Sequence, residues 1–254
     1  MGAHVRLAGK IAVVTGAGAG IGEAIVTLFA AQGAHVYVTD VNGAAAERVA
    51  QSLRANGGAA SAAVVDVTCG QDVTELMRTI AASHGRIDAL VNNAGLNILS
   101  DFRNMSDADW ARIRDVNLDG VMRMARDGFE LLRASGRGSL INVSSVMGQR
   151  GLRPLAAYSA TKGAVSALTR GLAVEYAPFN IRVNTLAPGY VETALTKRAL
   201  KMPQFRQALI AKTPMRRFGL PAEMAGAALF LASDDASYVT GAELAVDGGM
   251  SAAL

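Results

Sequence analysis

Short apolar runs alternate with longer amphipathic segments along the whole chain. The runs are almost continuously apolar, which is typical of parallel strands covered on both faces. They span 11–15, 35–39, 63–67, 87–91, 139–143, 181–186 and 244–246. The segments between them have helical spacing and span 21–32, 43–55, 71–84, 107–134, 157–177 and 222–232. This alternation predicts right-handed βαβ crossovers, and therefore a single α/β domain over 1–254 with a doubly wound, seven-stranded parallel sheet of the Rossmann type and helices on both faces.

Composition narrows the class of protein. The chain has 254 residues, of which 51% are apolar, and its formal net charge is +4, so it is neither disordered nor strongly basic. One cysteine and three scattered histidines predict no disulfide framework and no metal site. No apolar stretch is long enough to span a membrane, and the first ten residues lack a secretory h-region. We therefore expect a cytoplasmic protein that binds neither nucleic acid nor membranes.

A glycine-rich turn follows the first predicted strand. Its residues are Thr15, Gly16, Ala17, Gly18, Ala19, Gly20, Ile21 and Gly22, and a helical pattern begins within it. Between a buried strand and a helix, such a turn lets backbone N–H groups and the positive helix end approach a phosphate. A triphosphatase loop needs Lys and Ser or Thr after the last glycine, whereas this chain has Glu23-Ala24.

Asp40 ends the second predicted strand, eighteen residues after Gly22. A carboxylate near this offset hydrogen-bonds the ribose hydroxyls of NAD and repels a 2′-phosphate. The alternative is an ordinary turn aspartate, because Asp40 is followed by Val41, Asn42 and Gly43. Its place within a βαβ unit favours the NAD interpretation.

Tyr158 and Lys162 are four residues apart in a helical pattern, so they share one helix face. A cation beside a phenol lowers its pKa, which makes tyrosine a usable acid or base near neutral pH. An ordinary solvated helix face carries such a pair equally well. Ser145 follows the fifth predicted strand, at the edge where ligands bind; it is either a hydrogen-bond donor to a substrate oxygen or a turn hydroxyl.

Together these residues resemble the short-chain dehydrogenase/reductase family over essentially the whole chain. The resemblance also rests on Asp66-Val67, Asn92-Asn93-Ala94-Gly95, Arg182-Val183-Asn184, Pro188-Gly189, Thr193 and Asp247-Gly248-Gly249, in family order. It implies a catalytic tetrad of Asn117, Ser145, Tyr158 and Lys162. Tyr158 would exchange a proton with the substrate, Ser145 would hydrogen-bond the same oxygen, Lys162 would lower the pKa of Tyr158 and bind the nicotinamide ribose, and Asn117 would hold a water.

The resemblance assigns further residues to ligands. The implied cofactor contacts are Gly16, Gly18, Ala19, Gly20, Ile21, Gly22, Asp40, Val41, Asp66, Val67, Asn93, Ala94, Gly95, Tyr158, Lys162, Pro188, Gly189, Val191 and Thr193. The implied substrate contacts are Ser145, Met147, Gln149, Tyr158 and Tyr190, with a lid over about 190–222. The family also implies a homotetramer built through the helices at 107–134 and 157–177 and the C-terminal segment.

The resemblance predicts hydride transfer between NAD(H) and a secondary alcohol or ketone, most simply a sugar, polyol or small secondary alcohol. NAD is preferred because Ala19 and Val41 stand where NADP-dependent relatives carry a cation. An acyl-carrier-protein reductase is the alternative, with Arg133 and Arg137 as carrier contacts and Phe179 in place of an expected arginine. A non-catalytic NAD-binding protein is a second alternative. The seven cations of 194–221 either attract an anionic substrate or form a solvated face, and the solvated face is favoured.

Overall fold

A computed structural model describes residues 5–193 and 203–253. Its centre is one parallel sheet with the strand order β3-β2-β1-β4-β5-β6-β7. The strands are β1 (Ile11–Thr15), β2 (His35–Asp40), β3 (Ala59–Val64), β4 (Ala89–Asn92), β5 (Ser139–Val143), β6 (Arg182–Pro188) and β7 (Glu243–Val246). The strand order reverses between β1 and β4, and the crevice at the carboxyl ends of such strands is where this architecture binds ligands.

Helices cover both faces of the sheet. They are α1 (Gly20–Ala31), α2 (Gly43–Ala55), α3 (Gly70–His84), α4 (Asp107–Arg114), α5 (Gly120–Asp127), α6 (Phe129–Ala134), α7 (Ala156–Tyr176), α8 (Pro203–Ala211) and α9 (Pro221–Ala232). Apolar residues of α1, α2 and α9 form one buried cluster, and those of α3, α5, α6 and α7 form the other. The prediction of a doubly wound, seven-stranded α/β domain is confirmed.

The predicted position of the third strand, 63–67, is wrong. β3 pairs with β2 from His35↔Ala59 to Asp40↔Val64, so it begins four residues earlier. Its sequence, AASAAV, carries little apolar pattern because it forms the edge of the sheet and is only partly buried. Val65 and Val67 are buried after the strand has ended, which explains why their apolarity suggested a strand there.

The helical segment predicted over 107–134 is present, with both ends at the predicted residues, but it is not one uniform α-helix. The segment divides into α4, a π turn at Asp115–Asp119, α5 and α6. A side chain at Gly128 would come within 2.8 Å of the Met124 carbonyl oxygen and 3.0 Å of Leu90, so the break lies where the backbone approaches the sheet closely. Helix α8 was not predicted, since it lies within the basic stretch 194–221. None of the described helices is both long and apolar enough to cross a membrane.

Candidate active site at the carboxyl edge of the sheet

A cleft of about 790 Å³ opens at the carboxyl ends of the central strands. Its volume lies within the range of small-molecule and cofactor sites. Most of the cofactor contacts implied by the sequence line it: Gly16, Ala19, Gly20, Ile21, Asp40, Val41, Asp66, Val67, Asn93, Ala94, Gly95, Tyr158, Lys162, Pro188, Gly189, Val191 and Thr193. Topology thus brings together residues that are up to 177 positions apart in the sequence.

The glycine turn leaves a cradle that side chains would fill. Gly16 has a φ of +62°, and a Cβ there would lie 2.9 Å from the Ala94 Cα. A Cβ on Gly22 would lie 2.3 Å from the Gly16 carbonyl oxygen and 2.6 Å from the Asn93 Nδ2 atom. Asn93 holds the turn by donating to the carbonyl oxygens of Thr15, at 2.9 Å, and Gly16, at 3.1 Å. The cradle fits a dinucleotide, since its pyrophosphate needs close backbone approach at a helix N-terminus.

Asp40 lies at the ribose end of this cradle, beside the glycine turn. Its Oδ2 atom accepts a hydrogen bond from the Gly18 N–H at 2.9 Å, and its Oδ1 atom accepts one from the Asn42 N–H at 2.9 Å. Asp40 is therefore a turn aspartate and a cleft residue at once, and the two interpretations are not exclusive. Val41 follows it with two thirds of its surface exposed, which leaves an apolar face at the cleft rim.

Ser145 and Tyr158 meet at the centre of the cleft. Ser145 is buried just beyond β5, and a side-chain hydrogen bond joins it to Tyr158. The preceding Ser144 faces away, because its hydroxyl donates to the Lys162 carbonyl oxygen at 2.8 Å and accepts from Ser166 at 3.0 Å. Of the two serines, only Ser145 is therefore directed at the phenol.

Lys162 is buried beneath Tyr158 on α7. Its ammonium group donates to the Val143 carbonyl oxygen at 2.7 Å and lies 5.8 Å from the centre of the Tyr158 ring. Burial lowers the pKa of Lys162 to about 8. Burial also raises the pKa of Tyr158, although the hydrogen bond with Ser145 opposes this. Burial therefore outweighs the hydrogen bond with Ser145, and the expectation that Lys162 lowers the phenol pKa stays a prediction.

Asn117 lies in the π turn, a type of irregularity that is frequent at functional sites. Its amide nitrogen donates to the Leu96 carbonyl oxygen at 2.9 Å and to the Thr161 hydroxyl at 3.2 Å, and its Oδ1 atom accepts from the Leu96 N–H at 2.8 Å. Its side chain therefore fastens the loop after β4 to α7. The water that the resemblance assigns to Asn117 stays a prediction.

The C-terminal motif, Asp247-Gly248-Gly249, packs against the chain where β6 ends. A Cβ on Gly189 would lie 2.8 Å from Asp247, so the two segments touch through backbone. Asp247 accepts from the N–H groups of Gly249 and Ser251, which shapes a turn. Gly248 and Gly249 adopt positive φ and pack against Thr213 and Pro214, at the base of the predicted lid. This contact positions Pro188 and Gly189 in the cleft wall.

The predicted substrate contacts divide into two groups. Ser145 and Tyr158 line the cleft, and Met147 is buried close to Ser145, whose hydroxyl its N–H contacts at 3.2 Å. Gln149 instead donates to Glu243 at 2.8 Å on the exposed surface and does not line the described cleft, so its contact with the substrate stays a prediction. Tyr190 also lies outside the described cleft lining and packs edge-on against Phe218.

The structure describes four cations of the basic stretch 194–221, and two of them pair with carboxylates. Arg206 pairs with Glu192 at 3.1 Å, and Arg217 makes two short contacts with Glu223. Lys212 is exposed on the surface. Lys197, Arg198 and Lys201 lie outside the described residues. The favoured interpretation, a solvated face, agrees with the exposure of these side chains; the pairing with Glu192 and Glu223 was not predicted.

Several supporting contacts were not predicted from the sequence. Thr15 accepts at its hydroxyl from the N–H groups of Asn93 and Ala94, each at 3.0 Å. A buried polar chain runs from Asn92 through Asn142 to Thr169. Outside the cleft wall, Ser166 backs Ser144, Thr161 holds Asn117 and Arg48 contacts Gly18. In the sequence, most of these residues could be recognised only as polar residues within otherwise apolar segments.

Comparison with known proteins places this geometry in a family. Residues 16–251 match the family model described as Enoyl-(Acyl carrier protein) reductase. The chain is 45% identical to a galactitol 2-dehydrogenase (L-tagatose-forming) of Cereibacter sphaeroides over 248 residues, covering 96% of each chain. It is 41% identical to a cyclopentanol dehydrogenase of Comamonas sp. over 247 residues, covering 97% of this chain and 99% of that protein.

A solved structure agrees over almost the whole chain. It is a gluconate 5-dehydrogenase from Burkholderia cenocepacia in complex with NADP and tartrate, 38% identical, with a TM-score of 0.95 and coverage of 99% of this chain and 98% of that one. The fold agrees with that of this relative over almost the whole chain. The chain belongs to the short-chain dehydrogenase/reductase family and is an oxidoreductase acting on CH–OH and C=O groups.

Proposed function

We propose that the protein is an NAD-dependent dehydrogenase of a polyol, a sugar or a small secondary alcohol, and that it also reduces the corresponding ketone. The observation that carries this proposal is the convergence of Ser145, Tyr158 and Lys162 on one wall of a cleft whose other end is the glycine cradle and Asp40. When bound, a nicotinamide dinucleotide supplies the hydride acceptor or donor.

The residues divide the remaining chemistry between them. In the oxidation direction, Tyr158 accepts the proton of the substrate hydroxyl, and the carbon gives up a hydride, so that an alcohol becomes a ketone. Ser145 hydrogen-bonds the same oxygen while its charge changes. The buried ammonium of Lys162 stabilises the phenolate through its positive charge. Asn117 holds the loop after β4 in place. Residues of this loop form part of the cleft wall, so Asn117 also fixes that wall.

The proposed preference for NAD rests on the ribose end. The Asp40 carboxylate faces the cleft, and neither Ala19 nor Val41 can offer a cation to a 2′-phosphate. We expect at least roughly tenfold higher kcat/KM with NAD than with NADP, which is about 1.4 kcal/mol. Equal efficiency with the two cofactors would contradict this assignment. The gluconate 5-dehydrogenase relative holds NADP, which makes the measurement decisive for this chain.

The substrate class is proposed from the relatives together with the surface. Galactitol and cyclopentanol carry secondary alcohols, and both are named substrates of proteins above 40% identity. An acyl-carrier-protein reductase remains the alternative, since the family model bears a carrier-protein name. The two cations considered for a carrier are already engaged, Arg133 with Glu130 at 2.7 Å and Arg137 with Asp234 at 3.0 Å, and Phe179 packs against Phe129. The apolar ring of Phe179, at the position where a carrier-protein reductase is expected to have an arginine, favours a small substrate.

One assay tests this proposal. Purified protein is supplied with NAD or NADP and a panel of polyols, sugars, simple secondary alcohols and 3-hydroxyacyl thioesters. Turnover with NAD on a small alcohol is expected. Thioester preference with NADP would support the carrier-protein alternative. Tyr158→Phe should abolish turnover while NADH affinity stays within about twofold, because the phenol oxygen carries the proton and the cradle is untouched. Comparable turnover in that variant would remove Tyr158 from its role.

We also propose that the chain assembles as a homotetramer in the cytoplasm, and that 190–222 covers the substrate. Support for assembly comes from apolar side chains that remain exposed on and near α7. Val174 is 77% exposed, Phe179 is 42% exposed and Tyr238 is fully exposed. Light scattering on the purified protein measures the assembly, and a monomer at micromolar concentration would contradict it.

A further inference from the structure

Arg48 contacts the ribose end of the glycine cradle from outside the sequence motifs. It lies on α2, eight residues after Asp40. Its Nη2 atom donates to the Gly18 carbonyl oxygen at 2.8 Å, while the Gly18 N–H donates to the Asp40 Oδ2 atom at 2.9 Å. One residue of the turn is thus held by a cation on one side and by an anion on the other.

The geometry brings this cation close to the ribose position. The nitrogen and oxygen atoms of one residue lie within about 3.6 Å of each other, so the Arg48 guanidinium and the Asp40 carboxylate are at most roughly 9 Å apart. A Cβ on Gly18 would lie 2.9 Å from the Asp40 Oδ2 atom and 2.8 Å from Ala45 Cβ, so α2 packs directly on the turn. A 2′-phosphate next to Asp40 would therefore lie within reach of the field of Arg48.

Glu23 occupies the guanidinium edge that a phosphate would use. Its Oε1 atom accepts from Arg48 Nη1 at 2.9 Å, and its Oε2 atom accepts from Nη2 at 3.3 Å. Arginine binds phosphate through this same two-nitrogen edge. The side chains of both residues are partly exposed, at 57% for Arg48 and 36% for Glu23, so removing the Glu23 charge frees the guanidinium edge without leaving a buried, unpaired cation.

We propose that Glu23 and Arg48 set cofactor selectivity together with Asp40, by holding a potential 2′-phosphate ligand engaged elsewhere. The inference rests on the proposed use of a nicotinamide dinucleotide. The formal charges of Asp40, Glu23 and Arg48 sum to −1, which opposes a phosphate that carries about −1.5 to −2 at pH 7. A substitution that makes this sum more positive by one should raise the affinity for a 2′-phosphate. A substitution that makes the sum more negative by one should lower that affinity.

The adenosine half of the cofactor provides a probe that does not depend on turnover. Calorimetry gives the affinities of the wild type and of each variant for adenosine 2′,5′-bisphosphate and for adenosine 5′-monophosphate. We define the bisphosphate ratio as the affinity for the bisphosphate divided by the affinity for the monophosphate. A substitution that weakens the binding of both ligands equally leaves this ratio unchanged. Glu23→Gln should raise the bisphosphate ratio about three- to tenfold, because one negative charge is removed and the Arg48 edge is released. Arg48→Met should lower it by a similar factor.

A matched control is available on the same helix. Glu47 pairs with Arg54 at 2.6 Å, one residue from Arg48 along the chain. Glu47→Gln removes an equal charge and should change the ratio much less than Glu23→Gln, since Glu47 pairs with Arg54 and leaves the Arg48–Glu23 contact intact. Arg48→Lys keeps the positive charge. It therefore shows whether an effect of Arg48→Met comes from the lost charge or from a disturbed glycine turn. The NADPH to NADH ratio of kcat/KM should follow the order of the binding ratios.

The outcomes separate this inference from the proposed function. An unchanged ratio in Glu23→Gln overturns the inference, as does an Arg48→Met variant that weakens both ligands equally, because Arg48 would then only hold Gly18. Equal shifts in Glu47→Gln and Glu23→Gln also overturn it. A wild type that prefers the bisphosphate refutes the proposed NAD preference alone, since the order among variants still tests the charge argument. Failure of both ligands to bind refutes the dinucleotide site and the inference together.

Discussion

Lys162 should destabilise the cofactor-free protein at neutral pH, so Lys162→Met should stabilise it. Burial lowers the pKa of Lys162 from its ordinary value of 10.5 to about 8. A depression of that size corresponds to roughly 3 kcal/mol spent in keeping the ammonium charged in the folded state. Methionine has a similar unbranched stem and carries no charge to desolvate.

Part of this gain is offset by a lost hydrogen bond. The Lys162 ammonium donates to the Val143 carbonyl oxygen at 2.7 Å, and leaving that oxygen without its donor costs about 1 kcal/mol. A net stabilisation of about 2 kcal/mol is therefore expected at pH 7. In a chain of this length it would raise the melting temperature by about 4–8 °C. The same variant should lose turnover, because the charge beside Tyr158 is gone.

The sign of the pH dependence provides the sharper test. Between pH 8 and 10.5 the unfolded chain binds more protons at this lysine than the folded chain does. The stability of the wild type therefore rises with pH across that window, relative to the variant. Near pH 10 the charging cost falls to about 1 kcal/mol, so the advantage of Lys162→Met should vanish.

Urea unfolding of both proteins at pH 7, 8, 9 and 10, without cofactor, measures this difference. Lys212→Met replaces an exposed lysine and serves as the control, with no expected pH-dependent gain. Equal or lower stability of Lys162→Met at pH 7 would refute the reasoning. So would an advantage that stays constant from pH 8 to pH 10.

Two further predictions concern the cradle and the opposite edge of the sheet. Gly22→Ala should weaken NADH binding at least tenfold, measured by fluorescence titration, because its Cβ would lie 2.3 Å from the Gly16 carbonyl oxygen; Gly226→Ala, in open space on α9, should leave binding unchanged. Burial, together with the charge of His84, lowers the pKa of His35, so the unfolded chain takes up this proton more readily and stability should fall as the pH drops below about 6.5. His35→Gln should remove that part of the acid sensitivity in unfolding curves, and an unchanged pH dependence would contradict the assignment.

Local pattern alone determined the architecture. Runs of β-branched residues between helical segments allow little other than a parallel sheet, because only strands buried on both faces are apolar throughout. The glycine turn, Asp40, and the Tyr158–Lys162 pair were visible for a related reason. Their meaning depends on short spacing within one strand–turn–helix unit or one helix turn, and such spacing survives in a linear sequence.

Tertiary structure decided what depends on neighbours distant in sequence. The edge strand β3 is poor in apolar pattern, so its register follows from pairing with β2 and not from its own residues. The pKa of Tyr158 and of Lys162 both depend on burial, and only the packed α7 shows that burial raises the first and lowers the second. The contact of Arg48 with the glycine turn could not be seen in the sequence, because α2 must first fold back onto Gly18 before the guanidinium reaches the Gly18 carbonyl oxygen. Contacts of this kind are set by packing, whose distances a sequence pattern does not encode.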